Sequence, residues 1–283
     1  MNWVIMVKLI YKKPKKLLML CAICIIFTAV WLNNFPCLNK VLTYPVYRSL
    51  VKESLVLECT SFNISESSNF RLYYKNIDLG YAKQLLDDAE GNLYSVTRNF
   101  QNVSGEKINI IMYPEYEMMG RTMKLGVGSP AMGAYYCGTI GVLEQEKNSD
   151  NLRIDRYKKK SLILHEITHC LLDYRSGGNM PPWFTEGAAL YEEFRIYNIE
   201  WAENQVYSDY YSLEELEKNF YSLDEIKAYK EAFLIIKYIV DNYGYEGINY
   251  IVKELGAGKS MKQALQGALN TDTDVLLTNS LIK

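Results

Sequence analysis

Two histidines lie four residues apart, at His165 and His169, in the segment HEITH, and Glu166 directly follows the first of them. They are the only histidines among the 283 residues of the chain. Residues four apart share one face of an α-helix, so both imidazoles can bind the same metal ion. Histidine is the side chain that most often binds metals, and a carboxylate beside the first ligand can serve as a general base. The pattern therefore predicts a zinc site with two histidine ligands and Glu166 as the base.

The segments on either side of this trio are apolar, with residues 162–164 before it and 170–172 after it. The helix that carries the trio is therefore predicted to be largely buried. Polar groups that are buried without partners destabilise a fold, and a bound metal ion would supply the missing partner. Cys170 follows His169 directly but points in a different helical direction, so we assign it a packing role.

A third metal ligand is predicted at Glu186, in the segment WFTEGAALYEE. A catalytic zinc commonly has three protein ligands and keeps a fourth position open. Because the chain has no third histidine, the candidate for the third ligand is a carboxylate. Glycines at 177–178 and prolines at 181–182 predict a turn that brings the second helix back against the first.

Other charged residues near this segment are expected to have lesser roles. Glu192 and Glu193 lie further along the second helix and are expected to be solvated. Asp173, four residues past His169, is a candidate partner for a metal ligand. The basic run at 158–160 is expected to be a solvated helix start.

The composition is that of an ordinary globular protein, with 49% hydrophobic and 23% charged residues. The formal net charge is −2 and the sequence pI is about 5.9, so nothing predicts nucleic-acid binding. Six cysteines make disulfides possible, but their irregular spacing does not imply them.

Five lysines precede an uncharged apolar run over residues 17–32. This arrangement predicts an uncleaved membrane anchor, although the run is shorter than the roughly 20 residues of a membrane-spanning helix. The positive-inside rule then predicts a single-pass membrane protein with a cytoplasmic N-terminus and an extracytoplasmic domain. A cleaved signal peptide, which would give a secreted protein, is the alternative. The predicted division is an anchor segment over 1–40 and one domain over 41–283.

The periodicity of apolar residues predicts an α+β fold in two halves. In the N-terminal half, residues 81–100 show helical spacing, and KINIIMYP and AYYCGTIGVLE are predicted strands of a small sheet. Residues 40–70 look transitional and include a Ser/Asn-rich loop. A long helix then begins at Asp150 or Asn151, carries HEITH and ends at Gly177. The C-terminal half is predicted to be mostly helical.

The sequence HEITH followed by WFTEGAALYE resembles the gluzincin zinc metallopeptidases, in particular the peptidase MA-like domain proteins. In that group a Trp-x-x-Glu-Gly segment carries the third zinc ligand, which implies this role for Glu186. The resemblance extends more weakly over residues 70–270, and only residues 161–193 are diagnostic. It implies a thermolysin-like architecture, a Zn²⁺ cofactor and hydrolysis of peptide bonds in a peptide or protein substrate.

Two related groups match less well. The metzincin pattern has Gly and His where this chain has Leu172 and Arg175. Gluzincin aminopeptidases carry a Gly-Ala-Met-Glu-Asn motif, whereas the segment SPAMGAYY has no glutamate to hold a free N-terminus. The resemblance therefore gives no support for aminopeptidase activity.

The resemblance also implies a mechanism, in which Glu166 takes the proton of the attacking water and passes it to the leaving amine. Tyr229 is a candidate for stabilising the oxyanion, and the strand near residues 133–142 is a candidate for pairing with an extended substrate. The alternative function is a catalytically silent zinc-binding or interaction module that keeps the metallopeptidase fold. The intact Glu166 favours the enzyme, because a non-catalytic descendant has no need of the base.

Overall fold

The computed structural model describes residues 19, 21–23, 34–100, 105–126, 131–144, 152–271 and 273–281. The helices are α1 (Pro36–Leu57), α2 (Leu79–Thr97), α3 (Tyr116–Thr122), α4 (Leu152–Ser176), α5 (Pro182–Tyr197), α6 (Leu213–Lys218), α7 (Glu225–Gly256), α8 (Met261–Leu269) and α9 (Thr273–Leu281). The strands are β1 (Asn63–Glu66), β2 (Phe70–Tyr74), β3 (Ile108–Tyr113), β4 (Gly133–Tyr136) and β5 (Thr139–Leu143). The strands lie in the N-terminal half and helices follow, which confirms the predicted α+β class.

The five strands form one mixed sheet in the order β1-β2-β3-β5-β4. The inner strands β2, β3 and β5 run parallel, and β1 and β4 are added antiparallel at the two edges. Every residue of β3 is buried, as expected for a central parallel strand covered on both faces. The predicted strand KINIIMYP is therefore confirmed at the centre of the sheet.

The predicted run AYYCGTIGVLE is two strands rather than one. Tyr136 of β4 pairs with Thr139 of β5, so a two-residue turn joins the strands. Its central residues, Cys137 and Gly138, both have positive φ angles, of 46° and 82°. This is the pattern of a type I′ hairpin turn. The alternation of apolar residues did not reveal the turn because Cys137 is not a typical residue for it.

Residues 40–70 are more regular than the sequence predicts. Most of α1 lies in this range, and the Ser/Asn-rich segment forms β1 and the turn into β2. Helix α1 contains Pro45 in its interior, and proline usually ends or kinks a helix. Two helices predicted near the C-terminus are joined in α7, with a break at Gly244, where φ is 65°.

Helix α4 carries HEITH between the sheet and the C-terminal helices. Its apolar residues Ile163, Leu164, Ile167 and Leu171 are at most 1% exposed, so the predicted burial is confirmed. The helix ends at Ser176, next to the predicted end at Gly177. The N–H of Gly178 caps it by donating to the carbonyl oxygen of Asp173 at 3.0 Å. Gly177 and Gly178 both have positive φ angles, as in a Schellman C-cap.

Helix α5 begins with proline at its first position, which suits the fixed φ angle of that residue. Its Gly187 lies against the backbone of α7, where an added Cβ atom would come within 2.3 Å of the carbonyl oxygen of Ala232. Glycine at this position therefore permits the two helices to pack closely. The close packing holds Glu186, the preceding residue, in a fixed position relative to α4.

Among the described residues, no helix is both long and apolar enough to cross a membrane. The prediction of a single-pass membrane anchor is corrected accordingly. Most of the apolar run at 17–32 lies outside the described residues. The described cysteines are free thiols: Cys21, Cys37, Cys59, Cys137 and Cys170.

Candidate metal centre

The three residues predicted as metal ligands lie together. One ligand atom from each of His165, His169 and Glu186 lies within 4.8 Å of the other two. The Nε2 atoms of His165 and His169 are 3.3 and 3.5 Å from the same oxygen, Oε2 of Glu186. The two imidazole rings are steeply inclined, at 74°, with their centroids 4.7 Å apart. These three side chains form the candidate metal centre.

Helices α4 and α5 position the centre jointly. Residues four apart place both histidines on one face of α4. The glycine turn at 177–178 reverses the chain, and Trp183 and Phe184, both fully buried, anchor the first turn of α5 in the core. Glu186, the fifth residue of α5, then faces the histidines.

The outer nitrogens of both histidines have partners of their own. Nδ1 of His165 lies 2.8 Å from Oε1 of Glu193, and Nδ1 of His169 lies 2.7 Å from the hydroxyl of Thr185. When each Nδ1–H donates outward, the Nε2 lone pairs point to the centre, which is the tautomer that binds a metal. Two such nitrogens and a carboxylate oxygen match the ligand set of zinc.

Two of the lesser predictions for the second helix are wrong. Glu193, expected in solvent, contacts His165, and its side chain is only 15% exposed. It lies seven residues after Glu186, which is two helical turns, so both side chains are on the same face of α5. This spacing is visible in the sequence and could have placed Glu193 near the centre. Glu192 is fully buried and accepts hydrogen bonds from the guanidinium of Arg195 and the hydroxyl of Tyr245. Burial raises the pKa of Glu192.

Asp173 has partners other than a histidine. Its Oδ2 atom accepts hydrogen bonds from Nη1 of Arg48 at 2.9 Å and from the hydroxyl of Tyr135 at 2.7 Å. Cys170 is fully buried, which confirms its packing role. In the basic run at the start of α4, Lys159 is buried and donates to the hydroxyl of Tyr81 at 3.0 Å, so the run is not uniformly solvated.

Burial and mutual attraction set the charges of the centre. Glu166 is 5% exposed, and burial raises its pKa, although the two histidines oppose the shift. Burial acts to raise the pKa of Glu186 as well, but the attraction of His169 and His165 outweighs it and lowers that pKa. Burial acts to lower the pKa of His165, and hydrogen bonds to Glu186 and Glu193 raise it well above the ordinary value. A metal ion binds the unprotonated imidazole, so a bound cation would oppose the raised pKa of His165.

A cavity of about 890 Å³ opens over the centre. Its walls include the edge strand β4, the His165–Glu166–His169 face of α4, and Tyr221 and Tyr229. The volume is in the range of small-molecule and cofactor sites.

Tyr221 lines the cavity and contacts a predicted metal ligand, although nothing in the sequence indicated this role. It lies in the 3₁₀ turn Phe220–Ser222, and its hydroxyl donates to Oε1 of Glu186 at 3.2 Å. Tyr229, the predicted candidate, also lines the cavity, but its ring packs against Phe220 and Trp201 at centroid distances of 4.9 and 5.7 Å. Burial is the main cause of a raised pKa for the Tyr229 hydroxyl, and the nearby carboxylate of Glu186 adds to it. Tyr221 as a whole is 70% exposed, although its hydroxyl reaches Glu186.

No known protein-family model matches the chain, and no curated protein is significantly similar to it. The functional interpretation therefore depends on the geometry of the centre, on the cavity above it and on the motifs in the sequence.

Proposed function

We propose that this protein is a zinc metallopeptidase that hydrolyses peptide bonds, with His165, His169 and Glu186 as the zinc ligands. The observation that carries the proposal is the convergence of both Nε2 atoms on one oxygen of Glu186, with the buried Glu166 beside them. The order of elements also supports a thermolysin-like, gluzincin-type architecture. A mixed sheet with an antiparallel edge strand precedes the HExxH helix, and helices follow.

The ligand set favours zinc over other common cations. Calcium and magnesium prefer oxygen ligands, whereas this centre offers two imidazole nitrogens and one carboxylate. Three protein ligands leave a coordination position for water or substrate, as in catalytic zinc sites. Glu193 and Thr185 hold the outer sides of the rings, as expected for a centre that orients its ligands.

The side chains around the centre have separate roles in the proposed reaction. Bound zinc would polarise the scissile carbonyl and lower the pKa of water. Glu166 accepts the proton of the attacking water and passes it to the leaving amine, and its raised pKa brings it closer to neutral operating pH. The hydroxyl of Tyr221, already directed at the centre, donates a hydrogen bond to the developing oxyanion.

The edge strand β4 is the proposed binding site for the peptide backbone. It pairs with β5 on one side, and its residues Gly133–Tyr136 line the cavity. An extended substrate can add to such an edge through main-chain hydrogen bonds. Pairing of this kind gives affinity for peptides with little dependence on their side chains.

Zinc content and hydrolysis, measured together, test the proposal. The wild-type protein, Glu166→Gln and Glu186→Gln are loaded with zinc, dialysed, and analysed by elemental mass spectrometry. A mixture of decapeptides is the substrate. We expect one zinc per wild-type chain and hydrolysis, zinc without hydrolysis in Glu166→Gln, and weakened zinc binding in Glu186→Gln.

Three results would contradict the proposal. A folded wild-type protein that retains no zinc would exclude the metal centre. Zinc binding with no hydrolysis of any peptide would favour the catalytically silent zinc-binding module. Hydrolysis that is unchanged in Glu166→Gln would exclude Glu166 as the base.

A further inference from the structure

Helix α1 contributes to the wall of the cavity above the metal centre. Tyr44 of α1 lines the cavity together with Cys137 and Gly178. Its ring lies directly on Gly178, where an added Cβ atom would come within 2.3 Å of Cδ1 of Tyr44. Its hydroxyl is 3.8 Å from Sγ of Cys137, at the tip of the β4–β5 hairpin. Tyr44 therefore bridges from the hairpin tip to the end of α4.

Polar contacts on both sides of Tyr44 hold this wall in place. The hydroxyl of Tyr47 is 3.1 Å from that of Tyr136, at the end of β4. Nη1 of Arg48 is 2.9 Å from Oδ2 of Asp173, and both side chains are less than 15% exposed. Breaking a largely desolvated ion pair of this kind strongly destabilises the fold. The wall is thus a fixed part of the fold.

The strand β4 and the helix α4 run in the same direction along the cavity. At the start of β4, Gly133 lies against Leu162, where an added Cβ atom would be 2.9 Å from the Leu162 side chain. Two residues later, the hydroxyl of Tyr135 donates to Asp173, which is three turns further along α4. A substrate that pairs antiparallel with β4 therefore has its amino-terminal side at Asp173 and Tyr44.

The distance from the centre to the wall limits the substrate on that side. Asp173 lies one turn beyond His169 and two turns beyond His165, so it is about 6 to 12 Å along the helix axis from the ligands of the centre. An extended peptide advances about 3.4 Å per residue. About two or three residues therefore fit between the scissile bond and the wall.

We propose that the cavity admits only a short amino-terminal part of a peptide beyond the scissile bond, so that the protein removes at most about three residues from that end. This inference rests on the proposed peptidase function. The charge of Asp173, which lines this end of the cavity, is already paired with Arg48, so the limit is set by the Tyr44 ring and not by a counter-charge for the amino terminus. The restriction arises from the Tyr44 wall, and it does not require the glutamate motif of the gluzincin aminopeptidases.

Cleavage positions in an unbiased peptide mixture test the inference. The zinc-loaded full-length protein is incubated with decapeptides of random sequence, and the products are sequenced by mass spectrometry. We expect cleavage within the first three bonds of each peptide. Cleavage by the wild-type protein spread over internal bonds would overturn the inference and leave the peptidase function standing.

Two variants separate the wall from the rest of α1. Tyr44→Ala removes the ring from the wall of the cavity, and we expect cleavage to extend beyond the third bond. Leu50→Ala on the outer face of the same helix, where Leu50 is 64% exposed, is the matched control and keeps the wild-type positions. Circular dichroism establishes that both variants are folded. Wild-type cleavage positions in a folded Tyr44→Ala protein would contradict the role of Tyr44.

A binding measurement gives a readout that does not need hydrolysis. Peptidyl hydroxamates with one, two, three or six alanines are titrated into the zinc-loaded Glu166→Gln protein. We expect affinity to fall at least about tenfold, or 1.4 kcal/mol, between three and six alanines, and to be restored in the Tyr44→Ala background. Equal affinity for all lengths would overturn the inference. If this length limit were found but the wild-type protein hydrolysed no peptide, the result would count against the proposed function alone.

Discussion

Nδ1 of His165 lies 2.8 Å from Oε1 of Glu193, while Nε2 of the same ring faces Glu186. One imidazole thus joins two carboxylates, one on the ligand side and one behind it. The carboxylate of Glu193 fixes both the orientation of the ring and the nitrogen that carries the proton. The hydroxyl of Thr185 has the equivalent position behind His169.

Zinc affinity is expected to depend on Glu193. Replacing it by Gln or Ala removes the carboxylate behind His165 and should weaken zinc binding by about 10- to 100-fold, as for other partners of metal ligands. Competition with a zinc chelator measures the effect. Glu203→Gln, at an exposed loop position, is the control and should bind zinc like the wild-type protein. Unchanged affinity in both Glu193 variants would show that the contact does not orient the ligand.

The hydroxyl of Tyr221 is expected to contribute to the rate and not to zinc binding. Tyr221→Phe removes the donor that lies 3.2 Å from Oε1 of Glu186 and should lower kcat by about 100-fold if it stabilises the oxyanion. Its zinc content should be unchanged, because the three ligands are intact. The measurement is kcat together with zinc per chain.

Tyr229→Phe and Tyr94→Phe are the controls for this prediction. Tyr94 is 68% exposed on α2, away from the cavity, and its variant should keep the wild-type rate. A large loss of kcat in Tyr229→Phe, with none in Tyr221→Phe, would assign the oxyanion role to the tyrosine that the resemblance implies.

The ligands were predictable from the sequence because helical periodicity relates residues that are close in the chain. The spacing of His165 and His169 sets their shared face, and the glycines at 177–178 predict the turn that returns Glu186 to them. The same periodicity relates Glu193 to Glu186, but the length of α5 and its close packing on α7 were needed to place that residue.

Contacts between distant segments could not be predicted in this way. Tyr221 reaches Glu186 from a 3₁₀ turn 35 residues further along the chain, and nothing local distinguishes it from the other tyrosines. Arg48 reaches Asp173 over 125 residues, from a helix that the sequence pattern did not reveal. Such contacts depend on how the helices pack, and the packing of α1 is set by surfaces that become adjacent only in the folded chain.

Close packing at Gly187 predicts a stability effect of known direction. Gly187→Ala would place a Cβ atom 2.3 Å from the carbonyl oxygen of Ala232, so α5 and α7 must move apart. We expect a loss of about 1–3 kcal/mol in the free energy of unfolding, measured by urea denaturation. Gly91→Ala is the matched control, because Gly91 is exposed on α2 with no atom within 4 Å of an added Cβ.

The control should change stability in the opposite direction. Alanine in a helix interior is favoured over glycine by about 0.5–1 kcal/mol, so Gly91→Ala should stabilise the protein. If Gly187→Ala were as stable as Gly91→Ala, the two helices would not be in contact at this position.

Glu231 on α7 is a buried carboxylate with incomplete partners. It is 3% exposed, and its Oε2 atom accepts the N–H of Tyr211 at 3.0 Å. Its Oε1 atom has no hydrogen-bond partner within the described part of the chain, and Nζ of Lys227 is 3.9 Å away. Burial raises the pKa of Glu231 from 4.5 to about 7.

This raised pKa predicts the direction of a pH effect on stability. Between about pH 4.5 and 7 the folded protein holds a proton on Glu231 that the unfolded chain releases, so the free energy of unfolding falls as pH rises. The contribution of this one group should reach at most about 3 kcal/mol. Glu231→Gln stays neutral, so it should match the wild-type stability at pH 5 and exceed it at pH 8 in urea denaturation. Glu203→Gln is the control and should have the stability of the wild-type protein at both pH values. If Glu231→Gln differed from the wild-type protein by the same amount at pH 5 and pH 8, a raised pKa of Glu231 would be contradicted.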